Sequence, residues 1–191
     1  MRKIVTSLMV LFSVFMFTAC PADPAEDPGF DISVLYGTWQ SVYTQGSATT
    51  TYRWTFAEGV YGEYYAMDDP GVNLERDTTG SMSSVDETVT LVKNTISYNS
   101  DFVDVFNNTD AASIYGYTFD LLPDTAYNWA QVRTELAEVY RSSWELDGTP
   151  ISLTEAQTLV DEDRTQVFTF TVEGDTLTVN EDGEIYVLTR I

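Results

Sequence analysis

Apolar and polar positions alternate along most of the chain from Ile32 to its end. In Thr51–Phe56 the residues Tyr52, Trp54 and Phe56 fall on one face, and in Gln166–Val172 the residues Phe168, Phe170 and Val172 do the same. A period of two is that of a half-buried β-strand, and Thr, Val, Tyr and Phe, which dominate these runs, suit a pleated surface. The pattern predicts strands over 34–44, 50–57, 60–67, 87–98, 112–120, 142–146, 150–154, 166–173, 175–180 and 184–190. Glu58–Gly59, Asp147–Gly148, Glu173–Gly174 and Asp182–Gly183 each separate two alternating runs, and Gly there supplies the positive φ of a tight hairpin. The segments Trp144–Leu153 and Phe170–Val179 share apolar spacing and turn position, which implies sequential antiparallel neighbours. So many short strands must stack as two sheets or close on themselves, and closure removes exposed edges.

Two stretches break the alternation. Residues 68–86, DDPGVNLERDTTGSMSSVD, are polar and contain Gly, and predict a long loop. Residues 124–140 predict a helix, because Trp129, Val132, Leu136 and Tyr140 recur at helical spacing and Asp124 follows Pro123 as a candidate cap. Aromatic residues so spaced pack against the body of the domain. Ser152 and Glu155 have capping-box spacing; the alternation nevertheless favours a strand through Leu153, followed by a single helical turn.

The chain starts differently. Arg2 and Lys3 precede an almost wholly apolar stretch from Ile4 to Phe17, which ends in Thr18, Ala19 and Cys20. A positive start, an apolar run and small residues at its end mark an export signal, and the run is shorter than the ~20 residues that span a bilayer. Phe17-Thr18-Ala19-Cys20 resembles the lipobox of bacterial lipoproteins. That resemblance implies cleavage before Cys20, lipidation of its thiol with diacylglycerol and acylation (palmitate or a similar chain) of the new amine. Residues 1–19 are then a lipoprotein signal peptide, and 20–31 a lipidated Cys with a flexible acidic, Pro-rich tether containing Pro21, Pro24 and Pro28. Residues 32–191 form the folded domain. Pro21, rather than Asp, after the Cys resembles outer-membrane sorting in Gram-negative envelopes. Cys20 is the only cysteine, so no disulfide forms within the chain.

Charge narrows the partners. The full chain has 9 Lys+Arg against 30 Asp+Glu, a formal charge of −21. Loss of Arg2 and Lys3 with the signal takes the mature chain to −23 and leaves Lys93 as its one lysine. No cationic face can displace counterions from phosphates, which argues against nucleic acid, and electrostatic attachment to anionic lipid is equally disfavoured. Membrane attachment rests on the lipid at Cys20.

Leu35-Tyr36-Gly37-Thr38-Trp39 stands at the start of the domain and Tyr186-Val187-Leu188-Thr189-Arg190 at its end. Gly-x-Trp on a first strand and Arg on a last strand resemble the lipocalin signature, and the arrangement is similar to lipocalin-like domains of bacterial lipoproteins. The resemblance implies an all-β domain in the main, an antiparallel up-and-down lipocalin-like β-barrel with one inserted helix. Trp39 and Arg190 would close one end, with Gly37 allowing a close approach.

The sequence contains no histidine, which removes the commonest general base and metal ligand. A lipid-blocked Cys20 leaves no thiol nucleophile. A carboxylate pair could in principle hydrolyse glycosides, but among 30 acids close pairs arise by chance. Asn180–Glu184, NEDGE, reads as a hairpin turn rather than a calcium loop. No catalytic residues, cofactor or metal are assigned. An eight-stranded barrel either fills with side chains or holds one small ligand. Tyr43, Trp54, Phe56, Tyr65, Tyr117, Phe168, Phe170 and Tyr186 are the candidate inward, ligand-binding residues. The expectation is a non-enzymatic, lipid-anchored envelope protein, in the outer membrane, that binds a small apolar or amphipathic molecule. The rival is an envelope structural or interaction protein with a packed barrel, no ligand and a protein partner that the sequence does not name.

Overall fold

The structure, a computed structural model, describes residues 30–108, 116–143, 145–146 and 149–191. The signal peptide, Cys20, most of the tether, the Asp147–Gly148 turn and the first part of the strand expected over 112–120 lie outside the described residues.

A short 3-10 turn, Ile32–Leu35, capped by the Asp31 side chain on the Ser33 amide, leads into β1 (Gly37–Gln45). There follow β2 (Ala48–Ala57), β3 (Val60–Asp69), β4 (Val72–Val85) and β5 (Thr88–Tyr98), each an antiparallel neighbour of the one before. After an insertion, β9 (Thr165–Glu173) pairs with β5, and β10 (Thr176–Glu181) and β11 (Glu184–Arg190) continue the meander. β11 returns to β1 through Trp39↔Arg190 and Gln40↔Thr189. The eight strands β1–β5 and β9–β11 therefore form a closed antiparallel barrel.

The insertion carries α1 (Ser100–Asn107), the two-residue β6 (Tyr127–Asn128) beside β5, α2 (Trp129–Ser143), the small hairpin β7 (Glu145–Leu146) and β8 (Thr149–Pro150), and α3 (Leu153–Asp163). Among the described residues three helices thus stand where the sequence predicted one helix and a single further helical turn. The helix expected over 124–140 begins later, because Asn128 and Gln131 cap α2 reciprocally, each side chain accepting the other's backbone N–H at 3.1 and 3.0 Å. Asp124 has φ of 54° and lies in the preceding turn. The strand expected through Leu153 yields to α3, whose first turn is fixed by a full capping box between Ser152 and Glu155. Residues 116–120 are irregular rather than a strand, and the stretch expected as a strand over 142–146 begins inside α2.

The largest correction is the stretch 68–86. It is not a loop: it completes β3, turns at Pro70–Gly71 and forms β4, the longest strand of the barrel. Its Ser, Thr and charged residues concealed it. β4 forms because both of its edges are occupied, by β3 on one side and β5 on the other, with a register shift between Thr79 and Gly80. Ladder hydrogen bonds on both edges override weak strand propensity.

Two cores result. One fills the closed end of the barrel with Leu35, Trp39, Phe56, Tyr61, Met82, Val89, Leu91, Phe168, Leu177, Val179 and Leu188, roofed by Trp54. Each fully buried Phe or Leu there contributes about 1.5–3 kcal/mol. The other joins the three helices to the far end of β5 through Ile96, Tyr98, Phe106, Phe119, Trp129, Val132 and Val160, among others. The insertion is tied to the barrel where α3 meets β9: the Lys93 amide donates to the Arg164 carbonyl at 2.9 Å, and Arg164 Nε donates to the Lys93 carbonyl at 3.2 Å.

Candidate functional site

At the closed end, Trp39 is fully buried and its Nε1 donates to the Leu35 carbonyl at 2.7 Å. The Arg190 guanidinium carbon sits 4.1 Å from the centroid of the Trp39 rings. Arg190 Nη1 donates to the Tyr36 carbonyl at 2.9 Å and Nη2 to that of Val34 at 3.1 Å. At Gly37, φ is 128°, and a Cβ would lie 2.8 Å from Arg190 Nη1. This end is solid.

Above the Trp54 roof the barrel holds a cavity of about 570 Å³. Ser41 and Tyr43 of β1, Tyr52 and Trp54 of β2, Glu63 of β3, Arg76 of β4 and Lys93 of β5 line one part of it. Gln166, Glu181 and residues 185–188 line the other, and the insertion contributes Tyr140 of α2 and Asp163 of α3. The strand period of two brings these side chains together: Tyr61, Glu63 and Tyr65 alternate inward on β3, opposite Gly80, Thr78 and Arg76 on β4.

The walls are aromatic and charged. Tyr52 lies between Tyr43 and Tyr65, with ring centroids at 6.2 and 5.1 Å. Burial first, and then the neighbouring Tyr43 and Tyr65, push the Tyr52 phenol up to about 12. Arg76 pairs with Glu63, whose side chain is only 5% exposed, and the Arg76 guanidinium lies 5.5 Å from the Tyr65 ring centroid. Lys93 Nζ is 3.2 Å from Asp163 Oδ2 and 6.0 Å from the Trp129 ring centroid. Both cations are thereby compensated, as buried charges must be. Burial pushes the Glu181 carboxyl above the ordinary Glu range, and the charge of nearby Lys93 partly offsets the rise. Within the barrel Glu63 Oε2, Gln166 Oε1, Arg76 Nε, Thr78 Oγ1 and Tyr61 Oη are buried without a hydrogen-bond partner. A buried polar atom left in that state costs about 1–3 kcal/mol.

The cavity opens sideways. β1 and β11 pair at two positions only, next to the closed end; from Ser41 and Leu188 outward their edges face each other unpaired. Residues of both alternating faces of β11, Ile185 and Val187 as well as Tyr186 and Leu188, line the cavity, so it reaches round the free edge of that strand.

Of the residues expected to bind a ligand, Tyr43, Trp54 and Tyr186 line the cavity. Tyr65 stands behind Tyr52 and against Phe102 of α1, at 6.1 Å between centroids. Phe56 and Phe168 are buried in the barrel core beneath the cavity, with Phe168 stacked on Trp54 at 5.7 Å. Phe170 packs beside that core against Phe30, at 5.4 Å. Tyr117 is outside the barrel altogether, edge-on to Phe119 in the helical core. Sequence reasoning missed Tyr52, Glu63, Arg76, Lys93, Tyr140, Asp163, Gln166 and Glu181. One signal was available: Lys93 continues the inward stripe of Val89 and Leu91, and a lone lysine on a buried stripe marks a polar interior. Arg76 was hidden in the stretch read as a loop. Among the described residues no three His, Cys, Asp or Glu side chains are grouped to hold a metal ion.

No protein-family model matches the chain, and no curated protein matches its sequence.

Proposed function

We propose that this protein is a lipocalin-like lipoprotein of the bacterial envelope, anchored through Cys20, whose barrel takes up one small amphipathic molecule without chemically transforming it. The observation that carries the reading is the cavity above Trp54. It is of a size that suits a small ligand, it is walled by Tyr43, Tyr52 and Tyr186, and the charged side chains of Arg76, Asp163 and Glu181 line it beside them. A barrel serving only as a scaffold gains nothing from an empty interior of mixed polarity, whereas a ligand with polar and apolar parts matches both kinds of wall. The rival, a packed barrel that acts through a protein partner, accounts for the closed end but not for the open one.

Native mass spectrometry of the purified protein tests this reading. The expected spectrum shows the chain mass plus one small molecule, or acquires that addition when amphiphiles are supplied. A bare chain mass under every condition, with no change in Trp fluorescence on titration, would remove the basis of the proposal.

A further inference from the structure

β1 and β11 pair only next to the closed end, and the hydrogen bonds there fix which backbone groups face the rest of the seam. The Ile191 amide donates across the seam to the Thr38 carbonyl at 3.0 Å, whereas the Arg190 amide donates to the Asp175 carbonyl, beside β10, at 2.8 Å. The strand period carries these two directions along β11. Leu188 and Tyr186 turn their N–H and C=O groups to β10, and Val187 and Ile185 turn theirs to the seam. On β1 the same parity runs from Thr38 through Gln40 to Val42 and Thr44. Beyond Gln40↔Thr189 two strand edges therefore present donors and acceptors with which no described residue pairs.

An unpaired edge is commonly guarded by charge or proline. This one is apolar: Val42, Ile185 and Val187 are 53%, 58% and 55% exposed, and Tyr186, on the other face of β11, is 41% exposed. A hydrocarbon chain would cover these side chains and leave the backbone groups unanswered, whereas another extended backbone answers both.

Charge says whose backbone. Asp182 and Glu184, at the hairpin end of β11, are exposed, and neither 37–52 nor 176–189 contains Lys or Arg. A second copy of the chain would bring the same acids and a net charge of −21 to the edge. The segment before Phe30 carries Pro21, Pro24 and Pro28, which have no N–H to give to a ladder. A basic segment of another protein suits both the backbone and the charge.

We infer that the seam edge of β11 takes an extended basic segment of another protein by strand addition. Its backbone pairs with Ile185 and Val187, its apolar side chains cover Ile185, Val187 and Tyr186, and its Lys or Arg residues meet Asp182 and Glu184. This surface is separate from the interior proposed for a small ligand and does not depend on it.

The test is amide hydrogen exchange of the purified protein, read by NMR, alone and with the end-blocked peptide Lys-Thr-Val-Thr-Val-Thr-Val-Lys at millimolar concentration. Alone, the Ile185 and Val187 amides are expected to exchange fast and those of Tyr186 and Leu188, held by β10, slowly. The peptide should slow Ile185 and Val187 by at least about tenfold. A copy with Glu in place of both Lys, and a copy N-methylated at every Thr and Val, should not. Unchanged exchange with the Lys peptide overturns the inference. So does equal slowing by the Glu copy, which removes the preference for a basic segment, or by the N-methylated copy, which removes backbone pairing. Ile185 and Val187 amides already slow in the protein alone would mean that a second copy, if the mass is that of a dimer, or the rest of the chain, if it is that of a monomer, covers the edge, and either result also overturns it.

Discussion

Arg190 lies across the buried face of Trp39, 4.1 Å from its ring centroid, and the two residues are also paired opposite each other in the β1–β11 seam. The guanidinium is a clamp as well as a lid, because its nitrogens hold the carbonyls of Val34 and Tyr36 in the turn that crosses the barrel end. A planar fork with several fixed donors makes this possible, and lysine has no equivalent. The first and last strands are thereby joined at the solid end and unpaired at the other.

Trp39→Ala should therefore destabilise the fold by about 3–5 kcal/mol, the usual cost of emptying a large buried aromatic site. Arg190→Ala should cost roughly 1–3 kcal/mol through loss of the ring contact and the charged hydrogen bonds, and Arg190→Lys should recover only part of it. Denaturant unfolding of the three variants decides the matter. An Arg190→Lys protein as stable as the parent would show that the charge alone matters.

Gly80 should tolerate no side chain. It faces Tyr61 across β3 and β4, and a Cβ there would collide with the Val92 carbonyl oxygen and the Tyr61 ring. The neighbour on one side is backbone, so relief requires the β4–β5 register shift itself to move. Gly80→Ala is expected to lose at least about 1–3 kcal/mol, the cost of overpacking. A thermal melt unchanged from that of the parent would contradict the close approach.

Alkali should weaken the protein before it denatures ordinary surfaces. Burial and its tyrosine neighbours hold the Tyr52 phenol up at about 12, against 10.0 in a free side chain, and burial raises Tyr61 and Tyr98 further. The folded state thus keeps protons that the unfolded chain releases, so stability falls as pH rises through and above 10. Unfolding free energies at about pH 9 and about pH 11 should differ in that direction, and Tyr52→Phe should reduce the difference. A flat profile in the parent protein would mean that these phenols are open to solvent.

If the proposed lipid at Cys20 holds the protein, Cys20→Ser should shift it from the membrane fraction to the soluble fraction of bacterial cells, because the chain left by the proposed cleavage, with a formal charge of −23, has no electrostatic attraction to anionic lipid. Sedimentation with membranes after that substitution would refute lipid anchorage.

The pairing partners and the interior were legible to different degrees. Alternation in Thr51–Phe56 and Gln166–Val172, with Gly at the Glu58, Glu173 and Asp182 turns, encoded β2, β9 and their hairpin neighbours directly, since a local period and a local turn are all that a hairpin requires. Around α3 the alternation of the sequence conflicts with the capping box of Ser152 and Glu155. The helix won because the apolar positions Ala156 and Val160 are four apart and both fall on the core formed with α1 and α2.

What the sequence alone determined is therefore the local grammar: a period of two, the turns, the Gly37/Trp39 start and the Arg190 end. Only the tertiary structure decided that β4 is a strand, which of the aromatic residues face a cavity rather than a core, and that Glu63, Arg76, Lys93, Asp163 and Glu181 share one interior. The reason is physical. A strand whose inward residues are polar carries no hydrophobic alternation, and a charged side chain is tolerated inside only when a partner from a distant segment meets it; both conditions arise from closure of the barrel and from no single stretch of chain.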